Sequence, residues 1–150
     1  MNPTLLNSLA LMHLAGTVAA ADNTDADSAI IDMAGYEGVI LFTTVEDSVS
    51  GGIATATVEQ NADNSGAGMA ALAGAVATLT SAANDDLNGK FLAIDVYRPR
   101  ERYLRLNRAS SGANIAFGPV MALRYGQRKL PAPDVDDMGA LVSVTSPAGA

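Results

Sequence analysis

The side chains able to do chemistry are few, and most are carboxylates. They cluster at Asp25/Asp27, Glu46/Asp47, Asp85/Asp86 and Asp134/Asp136/Asp137. Two carboxyl groups facing across a cleft could hold Ca²⁺ or divide acid and base work at a glycosidic bond. These, however, are adjacent or nearly adjacent residues in polar turns, where solvated loop charge is the ordinary outcome. No stretch has the calcium-loop spacing with its central Gly and closing Glu. There is no Cys and a single His, His13. A disulfide, a thiolate metal site and a multi-histidine site within one chain are therefore excluded, and any nucleophile–His triad would have to use His13. On an apolar stretch, His13 reads as a packed or exposed residue. Gly51-Gly52 lacks the strand-and-helix context that cradles phosphate. Nothing here points to an enzyme, a cofactor or a bound metal.

The most specific feature is a run of arginines: Arg98, Arg100, Arg102, Arg105 and Arg108. Strand alternation sets Arg102 and Arg108 on the face opposite Arg105. Such a strip can dock on acidic surfaces of a capsid or a neighbouring subunit. It can equally pair within the chain, because charge is sharply divided. Residues 1–89 hold eleven acidic groups and no Lys or Arg, whereas 90–150 hold all nine basic groups against five acidic ones. Head-to-tail contact and cross-strand pairing both fit that division. The net charge of −7 disfavours nucleic acid as a partner.

Strands must position these groups. Fourteen Gly, many Thr and Ser, three Phe, four Tyr and no Trp accompany an apolar half made mostly of Ala, Val, Leu and Ile. Small β-formers with frequent Gly read as short strands and turns. Strands are predicted over 28–33, 39–45, 53–60, 75–79, 90–98 and 102–108, followed by a last long one marked by Ile115, Phe117, Met121 and Leu123. Ala54, Ala56 and Val58 share one face, as do Leu104 and Leu106. Pro119 forbids one ladder bond and so marks a bulge or an edge. Residues 69–79 stay ambiguous between a helix, weakened by Gly74, and a short strand or loop leading into 75–79. Seven or eight short strands imply an all-β sandwich or jelly roll over residues 28–130.

The ends read as arms, over 1–27 and 131–150. Leu5 to Ala21 is apolar but lacks a positive start and is interrupted by His13. That argues against a secretory signal and against a membrane span. Leu5, Leu6, Leu9 and Met12 then supply a contact surface for the same domain or a neighbour. On this reading, removing 1–22 leaves the sandwich folded and weakens assembly. Ala140 to Thr145 can add as a strand.

Three segments carry a resemblance. Asp32-Met33-Ala34-Gly35-Tyr36-Glu37-Gly38-Val39 is followed by Thr57-Val58-Glu59-Gln60-Asn61-Ala62-Asp63-Asn64-Ser65 and then by Arg102-Tyr103-Leu104-Arg105-Leu106. In order and spacing, over about residues 28–133, this resembles a family of small tailed-phage virion proteins. That family has an "aGYe" turn, a "vqeSdDns" strand and loop, a "kRYvRv" strand and a final strand ending in basic residues and Pro, here Arg124 to Pro131. Asn61 departs from the family's Ser, and 1–27 and 134–150 have no counterpart. The resemblance implies a β-sandwich of the virion, a capsid decoration or cement protein bound to the major capsid protein on the capsid surface. It also implies self-association, usually as a trimer. A head-tail or tail role, or a carbohydrate-binding sandwich, is the alternative; the latter needs an aromatic platform that a chain without Trp scarcely offers.

Overall fold

The computed structural model describes residues 8–128, 139–140, 142 and 144. Its strands in chain order are β1 (Leu9–Ala15), β2 (Val18–Ala21), β3 (Asp25–Asp27), β4 (Ile31–Asp32), β5 (Gly38–Ser48), β6 (Ile53–Asn61), β7 (Ala70–Thr80), β8 (Phe91–Tyr97), β9 (Tyr103–Ser111), β10 (Ile115–Phe117) and β11 (Val120–Tyr125). The chain is all-β, and its two antiparallel sheets form a sandwich. In the first sheet, β5 pairs with β8 on one side and with β11 and then β10 along the other. Beyond these, β1 lies on β11 and β2 on β10. The second sheet runs β7, β6, β9, with β3 and β4 following one another along the free side of β9. Counting β1/β2, β3/β4 and β10/β11 as bent single strands, each sheet is four strands wide.

Alternation explains the core. Val39, Leu41, Thr43 and Val45 point inward from β5, Ala54, Ala56 and Val58 from β6, and Leu104 and Leu106 from β9, all fully buried. Each large aliphatic side chain of this set contributes about 1.5–3 kcal/mol by leaving water. The bend at Gly118-Pro119 resets the phase of the last strand. Ile115 and Phe117 face inward before it, and Val120 and Ala122 after it. Met121 and Leu123 therefore face outward, opposite to what a single unbroken strand would give. Pro119 falls in the break between β10 and β11, and a register shift lies before it, between Ala116 and Phe117. A side chain at Gly118 would meet the Thr44 hydroxyl and the Glu46 carboxylate, which would have to move aside. Residues 70–80 resolve as one long edge strand, interrupted opposite Val58, where Gly74 takes φ +83°.

The N-terminal arm needs correcting. From Leu9 to Asp27 the chain forms three strands built into both sheets. In β1, Ala10 and Leu14 are buried and Met12 packs on the core, while Leu9, Leu11 and His13 face outward. Leucines on both faces masked this alternation in the sequence. Removing 1–22 would strip β1 and β2 from β11 and β10, so the truncated sandwich is not expected to stay folded. Leu5 and Leu6 lie outside the described residues, as does nearly all of 131–150.

Candidate functional site at the arginine corner

The turn from β8 into β9, residues 98–102, gathers three of the five arginines of the strip. It starts with Arg98, held at φ +52°, a left-handed backbone that is uncommon outside Gly. Its amide donates to the Glu37 carbonyl at 2.7 Å. Its guanidinium sits 5.1 Å from the Tyr97 ring centroid and 3.7 Å from Glu37 Oε1. Arg102 grips Asp32 with a two-pronged pair, Nε to Oδ1 and Nη2 to Oδ2, both 2.9 Å, the geometry that suits a planar guanidinium. Arg102 holds the Asp32 carboxyl below the usual carboxylate range, against an opposing effect of partial burial. Asp32 also accepts the Ala34 amide at 2.9 Å, fixing the turn that carries Tyr36.

Between this corner and the Met33–Glu37 turn lies an open cleft of about 580 Å³, lined by Arg98, Arg100, Glu101, Arg102, Glu37 and, from beyond β11, Arg128. Arg100 and Arg128 are exposed and pair with no acidic group among the described residues. Sequence reasoning left Arg128 out of the strip; its place in the basic run from Arg124 was the available signal. The cleft can take carboxylates. Opposing Glu37 and Glu101 keep it from being a pure anion sink.

The other arginines serve the fold. Arg105 stands on the outer face of the second sheet between Asp27, 2.9 Å away, and Glu59. Arg108 is not a docking residue. It is buried, and its Nη1 donates to the carbonyls of Gly16 and Gly118, both at 2.7 Å. The parity that places Arg108 beside Leu104 and Leu106 carried this outcome in the sequence. Its cross-strand neighbour Ala56 is small and buried, leaving room for a long side chain. Burial lowers the Arg108 pKa. Arg124 is buried too, donating to the Asp32 carbonyl at 2.9 Å and lying 4.3 Å from the Tyr36 ring centroid. All four ion pairs among the described residues join an acid from before residue 89 to an arginine after it. Pairing within the chain thus takes up three of these arginines, Arg98, Arg102 and Arg105.

Among the described residues, the paired carboxylates Asp25/Asp27 and Asp86 are taken up by neighbouring donors of the chain, and Asp134, Asp136 and Asp137 lie outside those residues. Asp25 and Asp27 both accept from Asn107 Nδ2, and Asp86 closes its own loop by accepting from Ser81 Oγ and the Ala82 amide. Among the described residues no group of three or more His, Cys, Asp or Glu is placed to hold a metal.

No family model and no curated protein matches this sequence. Solved structures do. The PBSX exported protein XepA aligns over 90% of this chain and 43% of its own, at 13% identity and TM-score 0.54. The chain thus spans less than half the length of that protein, and what the two share is the sandwich fold. A structure of Bacillus endospore appendages, described as disulfide-linked pili, aligns over 85% of this chain and 97% of its own at 12% identity and TM-score 0.43. One of infectious bursal disease virus aligns over 78% and 32% at 10% identity and TM-score 0.41.

Proposed function

We propose that this chain is a structural protein of a tailed-phage virion, a capsid decoration or cement protein that self-associates and binds the major capsid protein at the shell surface. The observation that carries this reading is the corner cleft. Arg100 and Arg128 stand exposed there beside Arg98 and Arg102, on a motif-bearing part of the chain that resembles virion proteins. A cement protein stabilises a shell by burying surface across subunit junctions, and a rigid sandwich with a cationic corner offers a fixed point for acidic capsid residues.

The test is co-sedimentation of the full chain with head shells of the phage that encodes it. Saturable binding, weakened by salt and reduced about tenfold or more by Arg100→Glu with Arg128→Glu, is the expected result. Binding to isolated tails and not to shells would move the protein to the tail. Saturable capture of one glycan with no particle binding would replace the reading with a carbohydrate-binding one.

A further inference from the structure

Strand β7 is an outer edge of the second sheet, and the residues that usually blunt such an edge are missing from it. Exposed edges are ordinarily protected by Lys, inward charge, Pro or a covering loop. From Asn64 to Asn84 there is neither a charged residue nor a Pro. Beyond the irregularity at Gly74, Val76 to Thr80 run in unbroken register with Ile53 to Thr57. The ladder fixes which backbone groups are spare. The Ser81 amide donates to the Gly52 carbonyl at 2.8 Å, and the Ser81 carbonyl accepts from the Gly51 amide at 2.9 Å. Alternation then turns Ala77 and Leu79 towards β6 and points the N–H and C=O groups of Val76, Thr78 and Thr80 away from the sheet.

Beside this edge the sandwich stands open. A groove of about 310 Å³ runs between β7 and β8, lined by Leu72, Gly74, Ala75, Ile94, Val96 and Tyr97 among others. Leu72, Ala77, Leu79 and Ile94 face inward and yet are only half-buried. The chain also carries a segment of the matching pattern. Val142 and Val144 are 80% and 82% exposed and lie in no strand, and residues 138–150 hold no charge. Laid along β7 as a strand, Ala140, Val142 and Val144 turn into the groove, and Ser143 and Thr145 fall on the outer face with Thr78 and Thr80. Because both valines stand clear of their own chain, the edge they cover is a neighbour's. Arg128 and Arg98 line one cleft, and Tyr97, next to Arg98, lines the groove, so two copies set groove to groove are within reach of each other's tails. The stretch from Arg128 to Ala140 spans up to about 40 Å.

We infer that residues 140–145 of one copy add as a strand to the β7 edge of another. Main-chain bonds at Val76, Thr78 and Thr80 hold the strand, and the alternate valines select it by filling the groove. Each copy gives one tail and takes one, so the contact closes as a reciprocal pair or a ring. The inference deepens the self-association in the reading above and rests on that part of it alone.

Sedimentation velocity of the full chain over a concentration series tests it. The expected result is a reversible oligomer. Val142→Asp with Val144→Asp should raise its dissociation constant about tenfold or more without moving thermal unfolding. Thr78→Pro should do the same, because it deletes an amide that faces away from β6; Val76→Lys blocks the edge if the proline variant does not fold. The deciding measurement mixes the two classes. The tail variant keeps its edge and the edge variant keeps its tail, so together they should form a one-to-one pair that neither makes alone. A monomer at every concentration, an oligomer that survives the tail variant, or a mixture that fails to pair would each overturn the inference. Shell binding reads the arginine cleft, so either proposal can fail without the other.

Discussion

The two outer faces of the sandwich are built from strands of similar length and opposite chemistry. On the second sheet, Arg105 bridges Asp27 and Glu59, Asn107 bridges Asp25 and Asp27, and the Thr55 and Thr78 hydroxyls lie 3.4 Å apart. That face satisfies itself and is ready for water. On the first sheet the same positions hold Phe42, Ile40, Met121, Leu123 and Leu11, and polar contacts such as Tyr125 to Asp95 and Tyr97 to Glu37 lie towards its β8 side. There, burial and the neighbouring carboxylate push the Tyr125 hydroxyl up to about 12, and its ring lies over Gly38, where no side chain could fit. Among the described residues, the outer face of the second sheet is patterned for water and that of the first is apolar over these positions.

The largest test of the contrast is the tie between the sheets. Arg108→Met should cost about 1–3 kcal/mol in chemical denaturation, because the Gly16 carbonyl loses its charged donor while the Gly118 carbonyl keeps only the Thr43 hydroxyl. A loss below about 1 kcal/mol would show that packing alone joins the faces. Next comes the polar face itself. Arg105→Ala should cost about 1–2 kcal/mol, since it leaves Asp27 and Glu59 close together without their cation. A neutral result would mean that this face is no more self-satisfied than the other.

The smallest effect lies at the corner. Asp32 has a depressed folded pKa, so its pairing with Arg102 adds stability above the ordinary carboxylate pKa of about 4 and loses it as pH falls through the folded value. Acid titration of stability should therefore flatten in Arg102→Met. An unchanged profile would remove Asp32 from the acid response.

Much of this was legible in the sequence where alternation ran unbroken. Ile53 to Gln60 and Arg102 to Arg108 showed their inner and outer faces directly, and Pro119 announced the break between β10 and β11. What was hidden has physical causes. Leucines on both sides of β1 erased its alternation, so a strand read as an arm. The bend at Gly118 inverted the faces of Met121 and Leu123 and concealed the apolar outer surface. Arg108 carried a core parity under a surface residue's charge, and charge won the reading. At the candidate site, Arg98, Arg100 and Arg102 were visible as neighbours in sequence, but Arg128 joins them only through the return of β11 past the Met33–Glu37 turn.

The pairing of β1 with β11 has a consequence for synthesis. The earliest strand described finds its hydrogen-bonding neighbour more than a hundred positions downstream, so it must wait unpaired while the ribosome delivers the rest. Contacts this distant in sequence slow folding and leave an oily strand edge open to wrong partners in the meantime. Completion of the first sheet thus waits until β11 has left the ribosome.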